Sequence, residues 1–278
     1  MNNLNLADGV VINLHFTDAC NFHCKFCHSH FEKTYLSLND WKQIIDNIMN
    51  DVKVKRFNLA GGEPLLSPYL QDLVDYIHSV GVDSSIITNG FYLDSDFIVR
   101  NTGKLSMIGI SIDGVSSEDD LAIGRADRMG RTLTKNKLHE LARQIHEAGM
   151  TLKINTVVNA LNYDSNFSGL ITLLQPERWK ILRMISIKGV NDALDNLTVT
   201  DQQFNAFVER HVQLSPVVED TSDIIHAYIV VNPHGQLVDN STGAYWMSNS
   251  LLTHSFAGEF SKVGMDLAKY KKRYQTAA

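Results

Sequence analysis

The residues best suited to chemistry are three cysteines that lie within eight positions of one another. Cys20, Cys24 and Cys27 are the only cysteines in the 278-residue chain. An odd, clustered set of thiols is typical of metal or redox chemistry and not of a disulfide framework. Three thiolates from one loop can bind three irons of a [4Fe–4S] cubane and leave the fourth iron open. Such an open iron suits a cluster that binds a substrate, unlike the fully ligated cluster of an electron carrier.

Zinc is the alternative for these thiols, with His23, His28 or His30 as the fourth ligand. Structural zinc usually takes its ligands from two separated pairs, and this sequence has no second cysteine pair. A zinc-stabilised binding module without catalytic activity therefore remains the alternative from a different functional class.

The cysteines follow a predicted strand, and strands alternate with helices after them. Apolar alternation predicts strands at residues 10–16, 55–60, 84–88, 107–113, 151–158 and 178–185, and then at 227–231. Helical periodicity and capping residues predict helices near 37–49, 69–80, 135–148, 167–174 and 201–213. This alternation is typical of a parallel sheet covered by helices. We predict an α/β fold, a partial (β/α)6 barrel with a C-terminal extension.

The predicted core spans residues 1–190, and residues 191–278 form the extension, which we expect to close over the substrate within a single structural domain. In parallel barrels, reactive groups collect where strands end. The cysteines lie after the first strand, and two further polar loops follow the second and third strands: Gly61-Gly62-Glu63-Pro64 and Thr88-Asn89-Gly90.

Polar side chains also occupy the later strands. Alternate residues of a strand share a face, which pairs Ser111 with Asp113, Lys153 with Asn155, and Arg178 with Lys180. Cations on inward faces are costly without an anionic partner. The pattern therefore predicts an anionic ligand, and ion pairing with nearby carboxylates is the structural alternative.

Composition excludes several other classes of function. The formal net charge is −6, so no global field attracts nucleic acid. No stretch reaches the roughly 18 apolar residues of a membrane span, and the first residues lack the basic start and apolar run of a secretory signal. We expect a cytoplasmic protein that binds neither nucleic acid nor membrane.

Two of these motifs together resemble the radical S-adenosylmethionine superfamily. Its signature is Cys-x3-Cys-x2-Cys after the first strand, here with Phe26 directly before the last cysteine. The Gly61-Gly62-Glu63-Pro64 loop is similar to the second superfamily motif, which holds the methionine amino group. The resemblance implies a [4Fe–4S] cluster on Cys20, Cys24 and Cys27, with S-adenosyl-L-methionine as the second cofactor.

Further segments resemble the viperin family across residues 10–240. In viperin order they are Asn13-Leu-His-Phe-Thr17, Ile110-Ser-Ile-Asp113, Ile123-Gly-Arg125, Lys153-Ile-Asn155, Val158-Asn159 and Pro176-Glu-Arg-Trp-Lys180. The last segment discriminates best, because most radical enzymes of this fold lack it. Viperins convert a nucleoside triphosphate into its 3′-deoxy-3′,4′-didehydro analogue, so the resemblance implies a lyase of antiviral, anti-phage defence. The start of the chain, almost at the first strand, resembles prokaryotic viperins without the membrane helix of animal ones.

The resemblance also implies a role for each matching residue. Positions for S-adenosylmethionine are Gly61, Gly62, Glu63, Pro64, Thr88, Asn89, Ser111, Asp113 and Arg125, and positions for the triphosphate are Lys153, Asn155, Arg178 and Lys180. We predict that His234 replaces an active-site tyrosine beside the sugar, with Tyr228 as the alternative.

The implied reaction begins when a 5′-deoxyadenosyl radical removes the 4′ hydrogen of the ribose. Loss of the 3′ hydroxyl, with an electron and a proton supplied, then gives the 3′,4′ alkene. The implied enzyme is a monomer that receives its electron from a donor such as flavodoxin or ferredoxin. CTP, UTP and GTP all remain open as substrates, as does another phosphorylated substrate. No cysteine follows Cys27, which argues against superfamily members with auxiliary clusters.

Overall fold

The computed structural model describes residues 9–29 and 36–275. The chain divides into two compact units. The first unit contains Met1–Ala19, Ser29–Ile86 and Asp223–Ala278, and the second contains Cys20–His28 and Ile87–Ser222. The division at residue 190 into core and extension, within one structural domain, remains a prediction. No helix of the described residues is both long and apolar enough to cross a membrane.

Strands and helices alternate through most of the chain. The strands are β1 (Val10–Thr17), β2 (Val54–Gly61), β3 (Asp83–Thr88), β4 (Leu105–Ser111), β5 (Thr151–Val158), β6 (Arg178–Arg183), β7 (Val217–Glu219), β8 (Val230–Val231), β9 (Gln236–Asp239) and β10 (Trp246–Ser250). The helices are α1 (Leu38–Asp51), α2 (Leu70–Ser79), α3 (Ser95–Arg100), α4 (Ser117–Ile123), α5 (Lys135–Glu147), α6 (Ser168–Leu174), α7 (Asp201–Arg210), α8 (Thr221–Ile224), α9 (Phe256–Phe260) and α10 (Leu267–Gln275).

In the first unit the strands run in the order β10-β9-β8-β1-β2-β3. Strands β8, β1, β2 and β3 are parallel neighbours, whereas β9 pairs antiparallel with both β8 and β10. Helix α1 begins after Ser37, whose side chain and that of Asp40 form a capping box. It buries one apolar stripe: Trp41, Ile44, Ile45 and Ile48. The first core thus forms between a parallel sheet and amphipathic helices.

In the second unit β4, β5, β6 and β7 follow one another as parallel neighbours. Helix α5 begins after Thr134, whose hydroxyl accepts the N–H of Lys137. It buries Leu138, Leu141, Ala142 and Ile145. The α/β class with parallel strands is therefore confirmed for both units.

Several predicted bounds differ from the observed ones. The strand predicted at 107–113 ends at Ser111, so Asp113 lies in the following loop and strand alternation does not place it. The helix predicted at 201–213 ends at Arg210, and the strand predicted at 227–231 contains only Val230–Val231. Helices α3 and α4 were not predicted, because six or seven residues hold too little periodicity to reveal a helix.

Candidate active site

The three cysteines lie in the cysteine loop, residues 20–28, which contacts the end of α4. The N–H of His23 donates to the Gly124 carbonyl at 3.1 Å, and the N–H of Lys25 donates to the Ile123 carbonyl at 2.9 Å. Gly124 has φ 85°, and a Cβ there would lie 2.4 Å from the His23 carbonyl oxygen. A glycine is therefore required for this approach.

Phe26 anchors the same loop in the core of the second unit. Its side chain is buried in an apolar cluster with Ile123, Met184 and Leu197. Its carbonyl accepts a hydrogen bond from Nδ2 of the buried Asn191, at 3.0 Å. The aromatic residue before the last cysteine thus fixes the loop by packing. The sequence contained no signal for Asn191, which reaches the loop from 165 positions away.

Polar donors surround the thiols. The three cysteines form no disulfide; Cys20 is exposed and the other two are half-buried. Asn89 Nδ2 lies 4.0 Å from Cys20 Sγ, and Arg125 Nη1 lies 3.8 Å from Cys24 Sγ. Burial raises the pKa of the Cys24 thiol to about 12, and Arg125 opposes the rise. Both donors can stabilise negative charge on sulfur once a metal displaces the thiol protons.

The donor set fits a cubane cluster. In a [4Fe–4S] cluster each thiolate binds a different iron, so the thiols need not converge on one point. Of the histidines considered for the zinc alternative, His30 lies outside the described residues. Three thiols on one loop, with donors beside two of them, therefore suit the cluster.

Arg125 is a buried cation between the cysteine loop and the end of β4. Its Nη1 lies 2.6 Å from Asp113 Oδ2, and its Nη2 donates to the Ser111 carbonyl at 2.7 Å. Although burial disfavours the charged guanidinium, Asp113 raises the pKa of Arg125. Burial raises the pKa of the Asp113 carboxyl, and Arg125 and the Val157 N–H oppose this rise. Asp113 therefore contacts Arg125 and orients it toward Cys24.

Two hydrogen bonds from other residues of the second unit fix the position of Asp113. Its Oδ1 accepts the N–H of Val157 at 2.6 Å, and its carbonyl accepts Asn162 Nδ2 at 2.8 Å. Asp120, which sequence reasoning missed, lines the same small cavity as Ser111 and Arg125. Burial raises the pKa of Asp120 to about 7.

The Gly61-Gly62 pair lies in the first unit, against the residues that precede Cys20. The N–H of Gly62 donates to the Thr17 carbonyl at 2.8 Å, and the N–H of Glu63 donates to the Ala19 carbonyl at 2.7 Å. A Cβ at Gly62 would lie 2.3 Å from the Ala19 oxygen. Glu63 is fully buried, and its carboxylate caps the short 3₁₀ turn Pro64–Leu66. The second motif is thus bonded to the chain that leads into the cysteine loop.

The loop after β3 bonds to itself and to the cysteine loop. Thr88 Oγ1 accepts the N–H of Gly90 at 2.9 Å, and Asn89 Oδ1 accepts the N–H of Phe91 at 2.9 Å. Asn89 Nδ2 also donates to Asn21 Oδ1 at 2.8 Å. The predicted Asn-Gly turn is present, and its asparagine connects the two loops.

The four predicted triphosphate residues lie together on β5 and β6. Lys153 pairs in register with Arg178, and Asn155 pairs with Lys180 on one side and Ser111 on the other. Residues in register on parallel strands point to the same face. We call Lys153, Asn155, Arg178 and Lys180 the cationic face.

Two buried polar atoms of the cationic face lack a hydrogen-bond partner among the described residues. They are Asn155 Oδ1 and Arg178 Nε. Lys180 is 3% exposed and forms an ion pair with Glu219 of β7. For this lysine, the ion pairing with a nearby carboxylate that we gave as the alternative to an anionic ligand is therefore present. Buried polar atoms normally have hydrogen-bond partners, so Asn155 Oδ1 and Arg178 Nε are available to a ligand. The sequence analysis did not identify Glu219, because a strand of three residues is too short for the alternation of its side chains to be recognised.

A second polar row crosses the first unit. Asn58 Nδ2 donates to Asn13 Oδ1 at 2.7 Å, and Ser85 Oγ donates to Asn58 Oδ1 at 3.0 Å. All three residues are buried and lie in register on β1, β2 and β3. Of these three residues, only Asn13 belongs to a segment that resembles the viperin family. Polar residues in mid-strand, where a core prefers apolar ones, were the available signal.

The candidates beside the sugar both lie in the first unit. His234 is in the turn between β8 and β9, where its N–H donates to Asn232 Oδ1 at 3.0 Å and its carbonyl accepts Ser250 Oγ. The ring of Tyr228 packs against the Arg273 guanidinium, 3.7 Å from the ring centroid. A catalytic role for either residue stays a prediction.

Comparison with known proteins gives concordant results. The model of the radical SAM superfamily matches residues 14–165. An S-adenosylmethionine-dependent nucleotide dehydratase of Selenomonas ruminantium is 35% identical, over 95% of this chain and 98% of its own length. One of Lacinutrix mariniflava is 32% identical over 94% of this chain, which spans 57% of that relative. The Danio rerio S-adenosylmethionine-dependent nucleotide dehydratase RSAD2 is 29% identical over 87% of this chain and 70% of its own.

Solved structures share the fold. The anSMEcpe structure with bound AdoMet has a TM-score of 0.68 at 15% identity, over 95% of this chain and 82% of that one. Streptococcus suis SuiB bound to S-adenosylmethionine has a TM-score of 0.63 at 13% identity, over 82% and 59%. The predicted cofactors are confirmed, since the superfamily requires both a [4Fe–4S] cluster and S-adenosyl-L-methionine. The chain belongs to the radical S-adenosylmethionine superfamily and, within it, to the viperin family.

Proposed function

We propose that this chain is a dehydratase that converts CTP, UTP or GTP into its 3′-deoxy-3′,4′-didehydro analogue. Relatives named as nucleotide dehydratases, one of them 35% identical, support the reaction class. The observation in this chain that carries the proposal is the cationic face. There Asn155 Oδ1 and Arg178 Nε are buried without a partner in the described part of the chain.

The charge of this face favours a polyanionic ligand. Three of its four residues are cations on two adjacent strands, and Lys180 is fully buried. Buried cations are costly unless anions or hydrogen-bond acceptors compensate them. Phosphate oxygens accept charge-assisted hydrogen bonds from lysine and arginine. A triphosphate therefore suits Lys153, Arg178 and Lys180, and the amide of Asn155 can hydrogen-bond beside them.

The cofactor residues would hold S-adenosylmethionine at the cysteine loop. When bound, the cluster and S-adenosylmethionine supply a 5′-deoxyadenosyl radical, which can remove a ribose 4′ hydrogen. Arg125 and Ser111 would bind the methionine carboxylate, and Asp113, which contacts Arg125 at 2.6 Å, would orient the guanidinium. Gly62 allows the second motif to approach the backbone before Cys20 closely, and that motif is assigned the methionine amino group.

His234 is proposed to lie beside the sugar and to hold or protonate the departing 3′ hydroxyl. An imidazole can donate a hydrogen bond or a proton, which suits either task. His234 is half-buried in the turn between β8 and β9. Replacement by phenylalanine should lower the yield of dehydrated nucleotide by roughly a hundredfold and leave nucleotide affinity nearly intact. A variant that turns over normally would shift the assignment to Tyr228.

We further propose a cytoplasmic monomer that acts in antiviral defence and receives its electron from a flavodoxin or ferredoxin. Three thiols without a disulfide fit a reducing compartment. The formal net charge of −6 fits a protein without a nucleic-acid partner.

The test is anaerobic incubation of the reconstituted protein with S-adenosylmethionine, a reductant and one triphosphate at a time. Mass spectrometry should detect 5′-deoxyadenosine together with a nucleotide that has lost one water, for at least one of CTP, UTP and GTP. Cys24→Ala serves as the control without a cluster ligand and should form neither product. Formation of 5′-deoxyadenosine without any dehydrated nucleotide would indicate a different phosphorylated substrate.

A further inference from the structure

The cationic face carries a carboxylate that the proposed reaction does not require. Glu219, the last residue of β7, forms an ion pair with Lys180 of β6. Both side chains are only 4% exposed. Glu219 lies in register with Leu182, two positions beyond Lys180, and so points to the same face as the cations.

A buried ion pair at this position needs an explanation. The desolvation of two charges costs free energy that a well-packed apolar pair does not. A buried ion pair is therefore weak evidence for a purely stabilising role. Two other residues of the face carry a buried atom that has no hydrogen-bond partner in the described part of the chain, namely Asn155 Oδ1 and Arg178 Nε. Lys180 is thus matched to a carboxylate, whereas these two atoms are available to a ligand.

We propose that Glu219 is a counter-ion that holds Lys180 in place in the nucleotide-free protein and shares this lysine with phosphate when a nucleotide binds. The inference rests on the proposed function, because it takes the cationic face as the phosphate site. Glu219 compensates the buried ammonium group until an anion arrives. It is therefore a positioning residue that acts through Lys180.

Charge counting gives the consequence for specificity. Glu219 pairs with a lysine of the cationic face and so lowers the formal charge there by one. The carboxylate repels each bound phosphate, and the repulsion grows with the ligand's charge. Glu219 thereby weakens binding of a triphosphate more than binding of a monophosphate, which keeps the affinity for the most charged ligand moderate.

The test compares the cluster-loaded wild type with Glu219→Gln, which keeps an oxygen acceptor for Lys180 and removes the charge. Calorimetry would measure binding of the triphosphate, diphosphate and monophosphate of one nucleoside, and of inorganic tripolyphosphate. We expect the triphosphate and tripolyphosphate to bind about tenfold more tightly and the monophosphate to change less than about twofold. Added salt should reduce the gain.

Thermal unfolding provides the second readout. Without ligand, Glu219→Gln should unfold about 5 °C lower, because Lys180 loses its compensating charge. Saturating tripolyphosphate should restore most of this loss. Asp220→Asn is the matched control, since Asp220 is the next residue and pairs with Arg183 instead, at 3.1 Å. Its melting temperature should not respond to tripolyphosphate more than that of the wild type.

The outcomes separate the two proposals. Equal affinities of Glu219→Gln and wild type for all four ligands, or a uniform loss, would overturn the role of Glu219. The expected pattern with tripolyphosphate, but no dehydrated nucleotide from the wild type, would overturn the proposed reaction and leave the counter-ion in place.

Discussion

Asp113 and Arg125 form a buried charge pair beside the cysteine loop. Arg125 contacts Asp113, the Ser111 carbonyl and Cys24 Sγ at once. Removing the charge of Asp113 leaves the guanidinium with one fewer anchor. Because a hydrogen bond to a charged group contributes about 1.5–3 kcal/mol, the orientation of Arg125 depends strongly on this carboxylate.

We predict that Asp113→Asn weakens S-adenosylmethionine binding by about tenfold, equal to about 1.4 kcal/mol. Iron content should not change, since the cysteines are untouched. Calorimetry on the reconstituted protein measures the affinity, and a colorimetric assay measures the iron. Asp127→Asn is the control, because Asp127 pairs with Arg131, whose side chain is 64% exposed, and not with Arg125. Wild-type affinity in Asp113→Asn would show that Arg125 needs no such anchor.

His211 is a buried imidazole that uses both ring nitrogens. Nε2 accepts the Phe167 N–H at 2.9 Å, and Nδ1 donates to the Phe207 carbonyl at 2.7 Å. Burial lowers the pKa of His211 in the folded state. The neutral ring matches both partners, whereas protonation would remove the acceptor. At low pH the unfolded state therefore binds more protons at this position than the folded state does.

We predict that the stability contributed by His211 is present above its unfolded pKa of about 6.5 and declines as the pH falls below it. The slope is at most about 1.4 kcal/mol per pH unit. Urea unfolding between about pH 8 and 5.5 measures it. His211→Gln should be less stable than wild type at pH 8 but should vary less across this range. An exposed-site variant, His254→Gln, should retain the wild-type pH dependence.

At the scale of elements, the short helix α4 determines where the cysteine loop lies. Its end supplies the Ile123 and Gly124 carbonyls that accept the loop N–H groups, and Ile123 packs with Phe26. The helix begins at Ser116, whose hydroxyl accepts the Asp119 N–H. A displacement of this helix end therefore moves the cysteines.

We predict that Gly124→Ala lowers iron incorporation and costs about 1–3 kcal/mol of stability, because the new Cβ strains a left-handed residue and presses on the His23 carbonyl. Iron per chain after reconstitution and urea unfolding measure the two effects. Gly169→Ala is the matched control: it lies in α6, where an added Cβ meets nothing within 4 Å. If Gly124→Ala bound iron like this control, α4 would not position the loop.

At the scale of the whole chain, distant segments complete each unit. The Val11 N–H donates to Tyr270 Oη at 2.5 Å, which joins β1 to α10 across 259 positions. The segment Asp223–Ala278 belongs to the same unit as β1 and β2. In the second unit, the cysteine loop joins a segment that begins at Ile87. Each unit is therefore assembled from segments that lie far apart in the sequence.

We predict that the intact chain binds about four irons with equivalent sulfide and absorbs near about 400 nm after anaerobic reconstitution. Replacing any one of Cys20, Cys24 or Cys27 by alanine should abolish both the absorbance and S-adenosylmethionine cleavage. Metal and acid-labile sulfide analysis provides the measurement. One zinc per chain without sulfide would instead establish the zinc-stabilised module, and cleavage by a single-cysteine variant would contradict the ligand assignment.

The sequence alone determined the parts whose signals are local. Cysteine spacing indicated the cluster, alternating strands and helices indicated the α/β fold, and alternation on β5 and β6 placed Lys153 with Asn155 and Arg178 with Lys180. Such features need only neighbouring residues, because strand period and motif spacing are properties of short segments.

Only the tertiary structure decided which remote groups meet. It moved Asp113 from the strand to the loop after β4, paired Lys180 with Glu219, and brought Asn191 to Phe26. The strand end and the two contacts do not follow from the periodicity of the sequence. The contacts join residues on different elements, and the placement of those elements depends on the packing of the core. Local patterns specify which face a side chain occupies, and the packed fold specifies its partner.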